Sequence, residues 1–405
     1  METVHLLNTL GQKQLRFLCE EIKNRCVGSK ENLMATQYFE RQLRANGWEI
    51  EKQSFDAFDW DSGPAHIISN EVNIEASSSP YSEACDVRAE FLTVSTLGEL
   101  ENLDGKGKIL ILKDELTLEP LMPKNFVFYN PESHQKIIRA LENSRAAALI
   151  FVANSTSQYP NGEYPYPIIE DGDFKIPSVY ISEKDAHNLL KDDPEQLRLI
   201  SKTAKSPSQG HNIIGRKGNP RGKRITITAH IDAKKGSPGA LDNATGVTSL
   251  LLLSELLKEY QKENMVELVA LNGEDYYSVP GQMVFLEQKQ GDFTDTMINI
   301  NIDGVGYHKG NTLLSVFNLA ENHAKEVDSL FATYPDIVLG SPWYQGDHSM
   351  FIQNGIPAIA LTSEWLLENI RTQRITHTER DTINMVDVTK LSELAIALQA
   401  FIYKL

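Results

Sequence analysis

The C-terminal half of this chain carries a scatter of side chains able to hold divalent metal ions or move protons. His230 and Asp232 follow the apolar run ITITA, Asp242 follows the loop KKGSPGAL, and Glu274 and Asp275 follow ELVALNG. Asp303 closes ININI, and His377 stands in THTERDT. Each has a bland reading: a hydrogen-bonded histidine at a strand end, a helix N-cap for Asp242, a turn for Asp303, two solvated loop acids for the pair. Brought together they would not tolerate one another, because neighbouring carboxylates disfavour each other's ionised form. Bound cations remove that conflict. Imidazole and carboxylate without thiolate suit zinc with open catalytic positions rather than a closed structural site.

Two ions fit this set better than one. Metals about 3.5 to 4 Å apart can share a carboxylate and a water, which becomes a nucleophile near neutral pH. Asp242 is placed to bridge, His230 and Asp303 to complete one ion, Asp275 and His377 the other. Asp232 can accept the second ring proton of His230 and fix its orientation. Glu274 is left for general acid/base work.

The elements that would position these residues follow from periodicity. From residue 213 onward, strands at 224–228, 266–271, 297–302 and 356–361 alternate with helices at 245–260 and 279–288, and a helix over 386–403 closes the chain. Such alternation predicts βαβ units, hence an α/β fold of three layers with a mostly parallel, mixed sheet between helices. Ligand sites in such sheets lie beyond the carboxyl ends of the strands, where the acids and histidines fall. Residues 1–56 read as two amphipathic helices, with Leu15, Leu18 and Ile22 and then Tyr38, Phe39 and Leu43 at helical spacing. The texture changes at Pro64 and the serines before Pro80. A β-rich module with a strand at 108–112, a helix at 133–143 and strands at 146–152 and 176–181 extends to turns at 191–194 and 206–210. The expected organisation is one domain from 1–56 and 210–405, interrupted by a second at 57–209.

Composition limits the partners. A chain of 405 residues exceeds one comfortable core. A formal charge of -16 offers no basic stripe for nucleic acid. Cys19, Cys26 and Cys85 lack metal-site spacing and read as reduced thiols, no segment is long and apolar enough for a membrane span, and the N-terminus has no signal-peptide pattern, so a cytoplasmic protein is expected.

The motifs HID (230–232), GALDNATG (239–246), GED (273–275), NIDG (301–304), GDHSMFIQNGIPAIAL (346–361) and THTERDT (376–382) resemble, in order and spacing, the co-catalytic zinc aminopeptidases, a family that includes glutamate carboxypeptidase and the non-catalytic transferrin receptor. Upstream, VGSKENLMATQYFERQLRANGWEIEKQSF and HNIIGRKG look like the family's opening helices and first strand, and 57–209 resembles an inserted protease-associated domain. The resemblance implies two Zn2+ held by His230, Asp242, Asp275, Asp303 and His377, with Glu274 as general base, Asp232 as orienting acid and a peptide as substrate. The family usually has glutamate where Asp275 stands; aspartate is one methylene shorter and also coordinates zinc.

Three other readings stay open on the same fold: a non-catalytic scaffold, a single-zinc glutaminyl cyclase, and a carboxypeptidase using Arg371, Arg374 or Arg380 to hold a terminal carboxylate. Tyr344 is a candidate to hold a tetrahedral oxyanion. The basic turn GRKGNPRGK (215–223) leads into a strand, unlike a phosphate loop, and His5, His66, His134, His187, His308 and His323 have no partners at ligand spacing.

Overall fold

The computed structural model describes residues 2–70, 72–126, 130–155, 164–276, 279–370 and 372–405; Arg371 lies outside them. The chain forms two compact units, Met1–Ala57 with Gln209–Leu405, and Phe58–Ser208.

In the first unit a mixed eight-stranded sheet runs, in spatial order, Glu49–Asp61, Ala204–Gly218, Met265–Leu271, Arg224–His230, Thr296–Ile302, Ala358–Ser363, Thr312–Phe317 and Ile337–Leu339. The four strands from Met265–Leu271 to Ala358–Ser363 are parallel. An antiparallel pairing flanks them on each side. Alternation along the strands sorts the side chains by face. Ile225, Ile227 and Ala229, with Ile298, Ile300 and Ile302, join the main apolar core. That core is completed by helices Glu2–Arg16, Lys30–Ala45, Thr245–Leu256 and Val388–Ile402, whose Leu7, Phe39, Leu251 and Leu398 are buried. Burying each such side chain contributes roughly 1.5–3 kcal/mol.

The opposite face of the same strands is polar yet buried. It presents Thr226, Thr228 and His230 beside Asn299, Asn301 and Asp303, and Thr228 pairs with Asn301 in register. Thr228 Oγ1 donates to Asn301 Oδ1 at 2.8 Å, and Asn299 Nδ2 donates to the Thr226 carbonyl at 3.1 Å. Hydrogen bonding is what makes burial of these groups tolerable. The two polar columns end on His230 and Asp303, so the site begins as the last step of a strand pattern.

Strands Thr312–Phe317 and Ile337–Leu339 and helix Glu321–Phe331 add to the elements expected from periodicity. The helix expected over 245–260 stops at Leu256, and the closing helix starts at Val388, where the Asp387 carboxylate accepts from Thr389 N–H at 3.0 Å.

The second unit holds another mixed eight-stranded sheet, with Phe91–Val94, Ile109–Leu112, Ala148–Ala153 and Ser178–Ser182 parallel at one side. Leu110 and Leu112 face one apolar cluster, Ile109 and Ile111 another, so the sheet is covered on both faces. Among its described residues are three α-helices, Leu97–Asn102, Glu132–Ser144 and Glu183–Leu190, the second of them at the position expected for a helix. No described helix is long and apolar enough to cross a membrane.

Candidate metal centre

Five ligand-type side chains from five separate segments meet at the carboxyl ends of the parallel strands. His230 Nε2 lies 3.1 Å from Asp242 Oδ1 and 3.6 Å from Asp303 Oδ1. His377 Nε2 lies 2.9 Å from Asp242 Oδ2 and 3.0 Å from Asp275 Oδ1. Asp242 therefore turns one oxygen to each imidazole. The structure groups His230, Asp242 and Asp303 in one triad and Asp242, Asp275 and His377 in another, with the ligand atoms of each within 4.8 Å of one another.

The donor set fits zinc. Bonds near 2 Å in a tetrahedron place neighbouring ligand atoms roughly 3.3 Å apart, the range observed here. Among the described residues, neither ring nitrogen of His230 has a hydrogen-bond partner, nor does Asp275 Oδ2, although all three atoms are buried. Buried polar atoms left that way are costly unless something else satisfies them.

Electrostatics point the same way. Burial opposes charge on His230, but the facing carboxylates of Asp232, Asp242 and Asp303 more than reverse it and raise the imidazole well above its ordinary range. His377 is likewise lowered by burial and raised further by Asp275 and Asp242. Burial lifts Asp242, yet the two imidazoles pull it well below the usual carboxylate range. Without a metal, two protons thus do the work of cations, and a divalent ion competes for the same atoms.

Two of the candidate ligands, Asp242 and His377, are delivered by identifiable local devices. Asp242 sits in an irregular turn, Ala240–Ala244, entered through Gly239 at φ 59. A Cβ at Gly239 would stand 2.5 Å from the Asp242 carbonyl oxygen, so the turn has room only for glycine. Asn243 Nδ2 donates to the Ile302 carbonyl at 2.8 Å, and its Oδ1 accepts from Gly246 N–H at 2.9 Å, tying the turn to the strand that ends at Asp303. The His377 loop has no regular structure and is laced by side chains. Gln373 Oε1 accepts from Ile375 N–H at 2.7 Å, and Thr378 Oγ1 donates to the Ile375 carbonyl at 2.8 Å.

Asp232 does more than the sequence reading gave it. Its Oδ1 is 3.6 Å from His230 Nδ1, beyond a hydrogen bond, whereas its two oxygens accept from the amides of Gly273 at 2.7 Å, Glu274 at 3.3 Å and Asp275 at 3.0 Å. It thus sets the loop that carries Glu274. Burial, assisted by Asp275, Asp303 and Asp347, raises Glu274 well above the ordinary carboxylate range.

Three more residues belong to the site's support. Asp347, buried, accepts from Gln282 Nε2 at 2.8 Å, and burial with the fields of Asp303 and Asp232 pushes it up to about 7. Asp381 accepts from the amides of Leu241 at 2.7 Å and Asp242 at 3.1 Å, and burial pushes it to about 7. Arg25, buried, donates to backbone carbonyls on either side of the site. Asp347 and Asp381 lay inside the quoted motifs without an assigned role, because acceptance from an amide leaves no spacing signature. Tyr344 is 65% exposed, its ring packed edge-on to Phe317 at 5.1 Å. His348 beside it is neutral: burial pushes it to about 4, and Nε2 donates to the Trp343 carbonyl at 2.7 Å.

Comparison with known proteins agrees with this geometry. Residues 212–402 match the peptidase family M28. An aminopeptidase, YwaD, of Bacillus subtilis (strain 168) is 24% identical over 309 residues, 75% of this chain and 62% of its own length. The aminopeptidase from Aneurinibacillus sp. strain AM-1 superposes with a TM-score of 0.74 at 20% identity, covering 98% of this chain and 93% of that one. BSAP, a zinc aminopeptidase from Bacillus subtilis, gives 0.75 at 18% identity, covering 98% and 95%. The segment that matches peptidase family M28 contains the parallel strands, every loop that carries a candidate ligand and the closing helix, so the whole candidate metal centre lies within the part of the chain that is similar to that family.

Proposed function

We propose that this chain is an aminopeptidase that uses two zinc ions to release residues from the amino end of peptides. The observation that carries the reading is the sharing of Asp242 between two imidazole–carboxylate triads. His230 and Asp303 would hold one ion and Asp275 and His377 the other. Zinc held there supplies Lewis acidity toward a peptide carbonyl and makes water acidic enough to ionise near neutral pH. Glu274 accepts the proton of the attacking water and returns it to the departing amine. Burial raises its affinity for a proton above that of an exposed carboxylate. Asp232 fixes the reach of Glu274 through the three amides it binds.

The surroundings favour an amino over a carboxyl terminus. Glu274 and Asp347 bring carboxyl oxygens beside the two triads, the acceptors that an α-ammonium group requires. A terminal carboxylate needs a cation, and Arg374 and Arg380 are exposed to solvent. Two triads speak against a single-zinc cyclase, and a full set of ligand-competent side chains against a scaffold. The unit Phe58–Ser208 is read as a protease-associated-type insertion, and the absence of a disulfide among the described cysteines supports a cytoplasmic setting.

The test is metal analysis combined with turnover of aminoacyl-anilides. Two zinc per chain and hydrolysis are expected, and Glu274→Gln should keep the zinc and lose the hydrolysis. A protein with neither zinc nor turnover is a scaffold; one zinc with cyclisation of N-terminal glutamine is a cyclase.

A further inference from the structure

Arg25 is 1% exposed, yet its guanidinium meets backbone carbonyls, not a carboxylate. Nε donates to Ile231 O at 3.0 Å, Nη1 to Leu18 O and Pro238 O at 2.7 Å each, and Nη2 to Gly239 O at 2.7 Å. Ile231 stands between His230 and Asp232, and Gly239 opens the turn that delivers Asp242. One rigid planar fork therefore spans the loop after the first histidine and the loop before the shared aspartate. Asp381 grips that second loop from its other side. Its carboxylate accepts from Leu241 and Asp242 N–H, and its own carbonyl accepts from Ala240 N–H at 3.1 Å. It lies four residues beyond His377, so it fastens the His377 loop to the Asp242 turn.

The polarity of the grip is ordered along the chain. Carbonyls at 238 and 239 face the cation, and amides at 240 to 242 face Asp381, so each peptide plane in the turn is held in one orientation. Both Asp381 oxygens are engaged by amides, which separates it from the ligands. A guanidinium kept away from water is expensive to bury, and among the described residues it makes no ion-pair contact. What it holds is the spacing of two candidate ligands, His230 and Asp242, and Asp381 adds the third, His377.

We infer that Arg25 and Asp381 are positioning residues that fix the shared Asp242 between His230 and His377 before any metal arrives, and so set the affinity for zinc. The inference rests on the two-zinc reading above. Pre-placement matters because ligands that must move into range weaken binding, and partners that orient ligands commonly change metal affinity by 10–100-fold.

The test titrates metal-free wild type, Asp381→Asn and Arg25→Lys with zinc against a chromophoric chelator, and measures the urea unfolding of the metal-free forms in parallel. Asparagine keeps the shape but turns an N–H donor toward one of the amides; lysine keeps the charge but cannot reach all the loops. Zinc dissociation constants about 10–100-fold weaker in both folded variants are expected, with hydrolysis recovered at high zinc. Variants that are less stable without metal but bind zinc as tightly as wild type would show a merely structural role and overturn the inference while leaving the zinc reading intact. Wild type that binds no zinc brings down the zinc reading and the inference with it. Should Asp381→Asn not fold, Arg25→Lys decides by the same criterion.

Discussion

At the scale of single residues, burial decides how reactive two of the three thiols are. Burial pushes the Cys19 and Cys85 thiols up to about 11, so at pH 8 roughly one molecule in a thousand carries the thiolate. Iodoacetamide at pH 8 should leave hydrolysis unchanged and modify both residues about 100-fold more slowly than in the denatured chain, as read by mass spectrometry. Inactivation that tracks modification of either thiol contradicts the assignment. Asp275 gives a second prediction. It lies 3.0 Å from His377 and leaves Oδ2 without a partner, so Asp275→Asn removes a negative ligand from one triad only. Bound zinc should fall from two ions to one, and kcat by at least about 100-fold. The candidate ligands were named from the sequence because imidazole and carboxylate at strand ends have few substitutes in metal binding, and the structure brings the five together in two triads. Asp381 and Arg25 were not, since they hold peptide groups that every residue possesses. Asp232 was half legible: its proximity to His230 follows from sequence separation, whereas its hold on residues 273–275 requires two strands to be side by side.

At the scale of elements, the site depends on how tightly helix Thr245–Leu256 lies on strand Thr296–Ile302. A Cβ at Gly246 would stand 2.5 Å from Ile302 O and 2.5 Å from Asn243 Oδ1, both held by the hydrogen bonds that join the Asp242 turn to the strand. Gly246→Ala should therefore destabilise by about 1–3 kcal/mol in urea unfolding and weaken zinc binding as well, because the displaced helix carries the turn with it. A loss of stability with zinc affinity unchanged would show that the turn moves independently of the helix. The parallel core was legible because its strands alternate with amphipathic helices, and RITITAH and TMININI show period-two alternation that predicts one apolar and one polar face. Strands Thr312–Phe317 and Ile337–Leu339 were not, since short pieces at the sheet's side have weak periodicity of their own and are fixed by pairing with Ala358–Ser363 and with each other. The glycine at 246 was visible in GALDNATG, but the close approach it permits is a tertiary fact.

At the scale of the molecule, the formal charge of -16 and the gathering of carboxylates within one unit would make stability depend on the proposed metal. All five proposed ligands belong to the unit Met1–Ala57 with Gln209–Leu405, and none to Phe58–Ser208. A ligand that binds only the folded form stabilises it by about 4 kcal/mol at a free concentration a thousand times its dissociation constant. For a unit of this size each kcal/mol moves the midpoint by about 2–3 °C, so saturating zinc should raise it by about 10 °C. Calorimetry after chelation, and again after zinc is returned, should therefore show a reversible shift in the transition that carries the ligand-bearing unit. The transition of Phe58–Ser208 should stay in place, and magnesium should not substitute, because imidazole ligands suit zinc and magnesium prefers oxygen and water. The shift has a physical source beyond mass action. Without metal the shared aspartate faces, among the described residues, the imidazoles of His230 and His377, whose proton affinity the carboxylates raise, and neighbouring carboxylates disfavour one another's charge. If the ligand-bearing unit melts at one temperature with and without zinc, the acidic cluster is balanced by its own protons and the metal-centred account of this chain is wrong.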